Sequence, residues 1–148
     1  MGYDIEGIRR RLPLRYPYLM VDRVEEIGEE RVVALKNVTI GEPVFQGHFP
    51  EPHPAVLPGT LILEAMAQTA AFLLPAEAGQ VGFLVGVDDA RFRRQVVPGD
   101  QLRVEARVLR RRRELIKVAA TATVAGETAS TATISLVVGR EEDVDAAR

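Results

Sequence analysis

No cysteine occurs among the 148 residues. Disulfides, thiolate nucleophiles and cysteine-based metal sites are thereby excluded, and a cytoplasmic location fits. Histidine is nearly as scarce: His48 and His53 are the only two. Any imidazole chemistry is therefore confined to one short segment. Basic charge is not in excess, since the formal net charge is −2, and this argues against a nucleic-acid binder. The arginine-rich stretch 91–113 has only Phe92 as an aromatic, too little for base stacking. The opening MGYDIEGIRRRL lacks the apolar core that a secretory signal needs. The longest apolar run, Ala55 to Pro75, is marginal for a membrane span and contains Pro58 and Glu64. It reads as a core helix, and no membrane partner is expected.

What is present is ordinary for a globular protein: 47% apolar and 27% charged residues. The length suits one domain, 1–148, with residues 139–148 as a frayed acidic tail. Asp4 caps a predicted short helix ending at Leu12. Alternation and turn residues predict strands over 19–27, 31–39, 81–87, 101–109, 114–124 and 127–138. Val32, Ala34 and Val38 share a face of the second strand. Arg110–Arg113 and Ala125–Gly126 read as hairpin turns. One long helix is predicted from Gly59 to Leu74. Apolar residues surround it, so a single flat sheet face would not cover it. A curved antiparallel sheet of about six strands, completed by a partner subunit, solves that burial problem.

Glu64 is the only charge between Ala55 and Pro75. A carboxylate there is expensive unless paired, protonated or used. Gln68 lies one turn further along the same helical face. Just upstream, the loop 41–58 holds both histidines and five prolines, at 43, 50, 52, 54 and 58. Prolines restrict backbone dihedrals, so this loop is long but ordered, as functional loops tend to be. A carboxyl in an apolar setting and a nearby imidazole are the parts of an acid/base pair. His48, His53 and Glu51 have metal-ligand chemistry. Their proline-broken spacing sets them on no common face, so no metal or cofactor is expected.

Several longer segments carry a resemblance: LRYPYLMVDRV (14–24), ALKNVTIGEPVFQGHFP (34–50), VLPGTLILEAMAQ (56–68) and GVDDARFRRQVVPGDQL (86–102). With their spacing, they resemble the 3-hydroxyacyl-(acyl carrier protein) dehydratases of type II fatty-acid synthesis, from residue 12 to about 137. The resemblance implies an α+β hot-dog fold, a six-stranded curved antiparallel sheet wrapped around one long central helix. It implies a catalytic pair of His48 and Glu64, each site taking one residue from each of two subunits. It also implies that the Gly59 N–H contacts the thioester carbonyl and that Gln68 orients the carboxyl. Partners would be an acyl carrier protein bearing 3-hydroxyacyl chains and further copies of the chain, as a dimer or a trimer of dimers.

That chemistry suits the residue types. Dehydration needs a base for the C2 proton, an acid for the departing C3 hydroxyl and a donor to the thioester oxygen. Imidazole, with an unperturbed pKa of about 6.5, is mostly neutral near pH 7. A carboxyl among apolar groups is favoured in its protonated form. A helix N-terminal amide supplies the donor. Ile62, Met66 and Phe83 are candidates for lining an acyl tunnel. An acyl carrier protein is very acidic, so Arg93, Arg94 or the hairpin arginines are candidate docking residues.

The chain departs from the family pattern in three places, one of them Asp89, at a position that is usually basic. EPHPAVLPG, between GHFP and the helix, is two residues longer than usual, which bears on where His48 sits. Leu14 stands where the family usually has histidine. Two alternatives remain open at this point, a non-catalytic acyl-binding or assembly subunit and a hot-dog thioesterase. The thioesterases normally lack the GHFP histidine. A dehydratase/isomerase relative typically carries aspartate at the Glu64 position.

Overall fold

The computed structural model describes residues 1–75, 77 and 80–140. Helix α1 spans Ile5–Arg11, strand β1 Arg23–Ile27, β2 Arg31–Asn37, helix α2 Gly59–Ala71, β3 Gln80–Phe92, β4 Gln101–Arg112, β5 Leu115–Val124 and β6 Glu127–Arg140. The six strands form one antiparallel sheet in the order β1-β2-β4-β5-β6-β3. The sheet packs around α2, which touches β2, β3, β4, β5 and β6. This is the α+β arrangement anticipated. No helix among the described residues is long and apolar enough to cross a membrane.

Alternation drives the packing. Along β5 every second residue is buried: Ile116, Val118, Ala120, Ala122 and Val124. β4 buries Leu102, Val104 and Ala106, and β6 buries Ala132, Ile134, Leu136 and Val138. Many of these are small, as are Ala65, Ala67 and Ala70 on α2, so the helix lies close to the sheet. Dispersion and apolar burial reward that closeness.

Helix ends are satisfied by side chains, one local and two distant. The Asp4 side chain accepts from Gly7 N–H at 2.9 Å, the expected N-cap. Beyond the last turn of α2, Arg11 donates to the Phe72 and Leu74 carbonyls at 3.0 and 3.2 Å. Arg111 donates to the Leu73 carbonyl at 3.1 Å. Two guanidinium groups thus hold the negative end of the helix.

Some element boundaries differ from expectation. Residues 19–22 are outside β1, although Met20 and Val21 are buried. β3 continues past Val87 to Phe92 because Asp89, at φ 52°, absorbs a bulge against β6. Arg110–Arg112 extend β4 instead of turning, and the turn falls at Arg113, with φ 56°. Ala125 and Gly126 do form the two-residue hairpin, both with positive φ. Gly139 and Arg140 belong to β6, so the expected tail does not start there; the rest of it lies outside the described residues.

An ion-pair ladder crosses β1, β2 and β4. Arg31 bonds Glu26 and also Glu105, at 2.6 Å, and Arg107 bonds Glu105 at 2.7 Å. Partial burial pushes the Glu105 pKa up, but the hydrogen bonds from Arg31 and Arg107 outweigh burial and hold it below the usual range. A lowered folded pKa gives stability that is fully present above the unfolded value, about 4.3 for a free glutamate. That stability is lost as pH falls through the lowered folded value. Glu105→Gln should therefore lower the melting temperature at pH 7 and lower it less at pH 3. The same deficit at both pH values would refute the linkage.

Candidate active site

Helical spacing places Glu64 and Gln68 side by side on α2. The Gln68 Nε2 donates to Glu64 Oε1 at 2.8 Å. The same nitrogen donates to the Tyr18 carbonyl at 2.8 Å, and Gln68 Oε1 accepts from the Met20 N–H at 2.7 Å. Gln68 is only 3% exposed. Its amide is therefore fixed end to end by the strap 18–20, and it offers an N–H, not an oxygen, to the carboxyl. The second Glu64 oxygen has no hydrogen bond to a described residue.

Glu64 is half-buried on the wall of a hollow of about 230 Å³. Leu14, Phe83, Leu84 and Leu136 supply apolar surface there. Leu14, the departure from the family pattern, thus adds an apolar wall beside Glu64. Phe83, a tunnel candidate, shares this hollow with Glu64. Met66, another candidate, is wholly buried in the core. Ile62 is buried too and borders a different hollow, at the start of α2.

His48 is placed by its loop. A 3-10 turn, Pro43–Gln46, precedes it, and the His48 N–H donates to the Val44 carbonyl at 2.9 Å. His48 Nδ1 lies 2.7 Å from the Val56 carbonyl oxygen. A carbonyl only accepts, so Nδ1 carries the proton, and Nε2 of the neutral ring keeps its lone pair. The ring stacks on Phe49, with centroids 4.3 Å apart. His53, by contrast, is exposed. The two-residue lengthening thus leaves His48 tethered and His53 outward.

Gly59 is the first residue of α2, so its N–H has no partner within the helix. A Cβ at this position would come within 2.7 Å of the Phe92 ring. Only glycine lets β3 close over the helix start without displacing that ring. Val56, Gly59, Ile62, Phe92, Arg93 and Arg94 border the hollow there. Val56 is the residue that tethers His48, so His48 and Gly59 belong to one end of α2. Glu64 lies five residues on, about 7.5 Å along the axis, and opens on the other hollow.

The candidate docking arginines differ among themselves. Arg93 is exposed. The Arg94 side chain is engaged with Glu127 at 3.1 Å and Asp100 at 3.5 Å. In the hairpin, Arg111 is committed to the Leu73 and Glu29 carbonyls. Sequence reasoning missed Val56, Tyr18 and Met20, which act here through backbone atoms that residue type does not encode. It also missed Phe92 as a lid on Gly59, although a glycine opening a buried helix signals that something approaches closely.

Residues 12–133 match the family model described as FabA-like domain. The 3-hydroxyacyl-(acyl carrier protein) dehydratase FabZ of Streptococcus pneumoniae strain Hungary19A-6 is 49% identical over 139 residues, covering 92% of this chain and 98% of that protein. Among solved structures, the dehydratase heterocomplex ApeI:P from Xenorhabdus doucetiae superposes with TM-score 0.78 at 17% identity, covering 94% of this chain and 95% of the other. A hot-dog-like protein from Thermanaerovibrio acidaminovorans superposes with TM-score 0.63 at 18% identity, covering 78% and 85%. These two similarities speak to fold alone, and the fold is the hot-dog.

Proposed function

The chain belongs to the FabA-like family, and from that premise we infer that it removes water from 3-hydroxyacyl-(acyl carrier protein), giving the trans-2-enoyl thioester of fatty-acid biosynthesis. It is a lyase, and its substrate arrives on an acyl carrier protein.

We further propose that His48 and Glu64 do the chemistry. His48 Nε2 takes the C2 proton, and the electron pair of that C–H bond becomes the C2–C3 double bond. The C3–O bond breaks, and the hydroxyl leaves as water with a proton from Glu64. The Gly59 N–H steadies negative charge on the thioester oxygen while C2 gives up its proton. Gln68 holds the Glu64 carboxyl toward the substrate. Phe83 lines the path of the acyl chain. Arg93 is better placed for docking than Arg94, because its side chain has no ion pair with a described residue. The observation that carries this reading is the Nδ1 contact with Val56, which leaves Nε2 of the neutral ring as the lone-pair nitrogen.

Two copies would complete the site. β3 ends the sheet, and Leu84, Val85, Val87 and Phe92 on it are exposed. An apolar strand with one unpaired edge is an aggregation hazard unless another strand covers it. We propose that β3 of a second copy does so, and that His48 of one chain then works with Glu64 of the other. Such dimers could assemble further into a trimer of dimers.

The test is the mass of the thioester after incubation with enzyme. Loss of water is expected. Release of free acid would instead make the protein a thioesterase, and an unchanged mass would make it a binding subunit. With His48→Ala the rate should fall roughly a hundredfold or more. His53→Ala should leave it near normal; if His53→Ala is the severe variant, the lengthened loop has reassigned the base.

A further inference from the structure

Lys36 is the only charged residue buried among the described residues, at 4% exposure. A lysine on the core side of a strand loses its hydration, so it persists only with a partner. Its partner is Glu42, with Nζ 2.6 Å from Oε1. The other Glu42 oxygen accepts from the Thr39 N–H at 3.1 Å. Glu42 also begins the turn that leads to His48. Its backbone N–H donates to the Thr39 carbonyl at 3.1 Å, and its carbonyl accepts from the Phe45 N–H at 3.1 Å. From there the chain runs two bonds to the imidazole: the Val44 carbonyl takes the His48 N–H, and Nδ1 meets Val56.

The segment 38–48 leaves the sheet at β2 and has few other fixed points. Val38 is tied by its N–H to the Asp100 carbonyl, and Phe45 is buried. Between them the Lys36–Glu42 pair joins strand to turn. An ion pair with its ammonium buried and its carboxylate partly exposed is not a strong source of stability, because apolar replacements of both partners of such pairs are often as stable. What it supplies is a single geometry, since a buried ammonium has one place to go.

We propose that Lys36 and Glu42 are positioning residues for the dehydration. Their ion pair, with Lys36 buried and Glu42 partly exposed, sets the register of the 39–48 turn against β2, and so the height at which His48 Nε2 meets the substrate. Neither residue touches the reacting atoms. The inference rests on the reading of His48 as the base, and the experiment separates the two. If His48→Ala keeps normal turnover, that reading fails whatever Lys36 does.

Four variants decide it. Glu42→Gln keeps the shape and hydrogen-bonding capacity of the side chain, so it folds, but it breaks the charge pair. Its kcat should fall roughly ten- to a hundredfold with KM changed far less, because misplacing a reacting group acts on the chemical step. Lys36→Arg keeps the charge and should retain more of the rate. The double variant Lys36→Met/Glu42→Leu removes both charges and should recover most of the melting temperature lost by Lys36→Met alone. Its kcat should nevertheless stay low. With only two histidines in the chain, the imidazole nitrogen NMR spectrum is simple enough to read. In Glu42→Gln and in the double variant, the His48 Nδ1–H signal should broaden or exchange faster. Wild-type kcat in Glu42→Gln, or kcat that returns with the melting temperature in the double variant, would show that the pair only holds the fold and would overturn the proposal.

Discussion

Mixing His48→Ala with Glu64→Gln, each nearly inactive alone, should restore about a quarter of the wild-type rate. The number follows from symmetry. If equal amounts are mixed and subunits exchange freely, about half of the dimers contain one chain of each kind. In such a dimer, one site collects both substitutions, the lost imidazole from the first chain and the lost carboxyl from the second, and is dead. The other pairs the intact His48 with the intact Glu64 and works. One live site in two, in half of the dimers, is about a quarter of the total. The measurement is the dehydration rate after co-incubation long enough for exchange, or after co-expression. If both residues of a site came from the same chain, every site would lack one of them, and the mixture would be as inactive as its parts. A mixture with no recovered rate, from dimers shown to have exchanged, therefore rejects the shared site. A monomer in sedimentation would reject it too.

The second large effect is expected at Gln68. Gln68→Leu preserves approximate bulk but removes three hydrogen bonds at once: to Glu64, to the Tyr18 carbonyl and from the Met20 N–H. Two of the groups left behind are backbone atoms, and Met20 is buried. A buried polar group without a partner costs about 1–3 kcal/mol. The loss should therefore be about 3 kcal/mol or more in stability, a fall of roughly 6–12 °C in melting temperature for a chain of this size. Activity should fall further than stability explains, because Glu64 loses the group that orients it. Assaying well below the lowered melting temperature separates the two effects. A stable Gln68→Leu variant with normal kcat would mean that neither the strap nor the carboxyl depends on this amide.

The same residue explains a boundary that the sequence misled on. Leu19, Met20 and Val21 look like the start of a strand because they are apolar. Met20 and Val21 are indeed buried, yet the Met20 N–H is spent on a side-chain oxygen and not on a ladder. Side-chain hydrophobicity reports burial; it does not report where the backbone donors go. Past Val87 the error ran the other way. The predicted strand stopped there, but a single positive φ at Asp89 lets β3 bulge and continue. The central helix and its Glu64–Gln68 pair were plain in the sequence because both follow from helical periodicity and from one charge among apolar residues. His48 was legible by its scarcity and its motif. Its tether was not, since any residue at position 56 offers a carbonyl. Lys36 was within reach: it interrupts the inward series Val32, Ala34, Val38, and a lysine at an inward step calls for a buried acid nearby.

The clamp on the far end of α2 bears on which parts of the chain are expendable. Arg11 is 61 and 63 positions from the carbonyls that it holds, and no proposed site residue lies in the first dozen residues. A truncation or proteolytic cut that removes α1 would look harmless by any count of functional side chains. It would nonetheless release the carbonyls of Phe72 and Leu74 and take away half of the positive charge seated at the end of the helix that bears Glu64. The amino-terminal segment is thus a doorstop for the catalytic helix, wedged from outside the site.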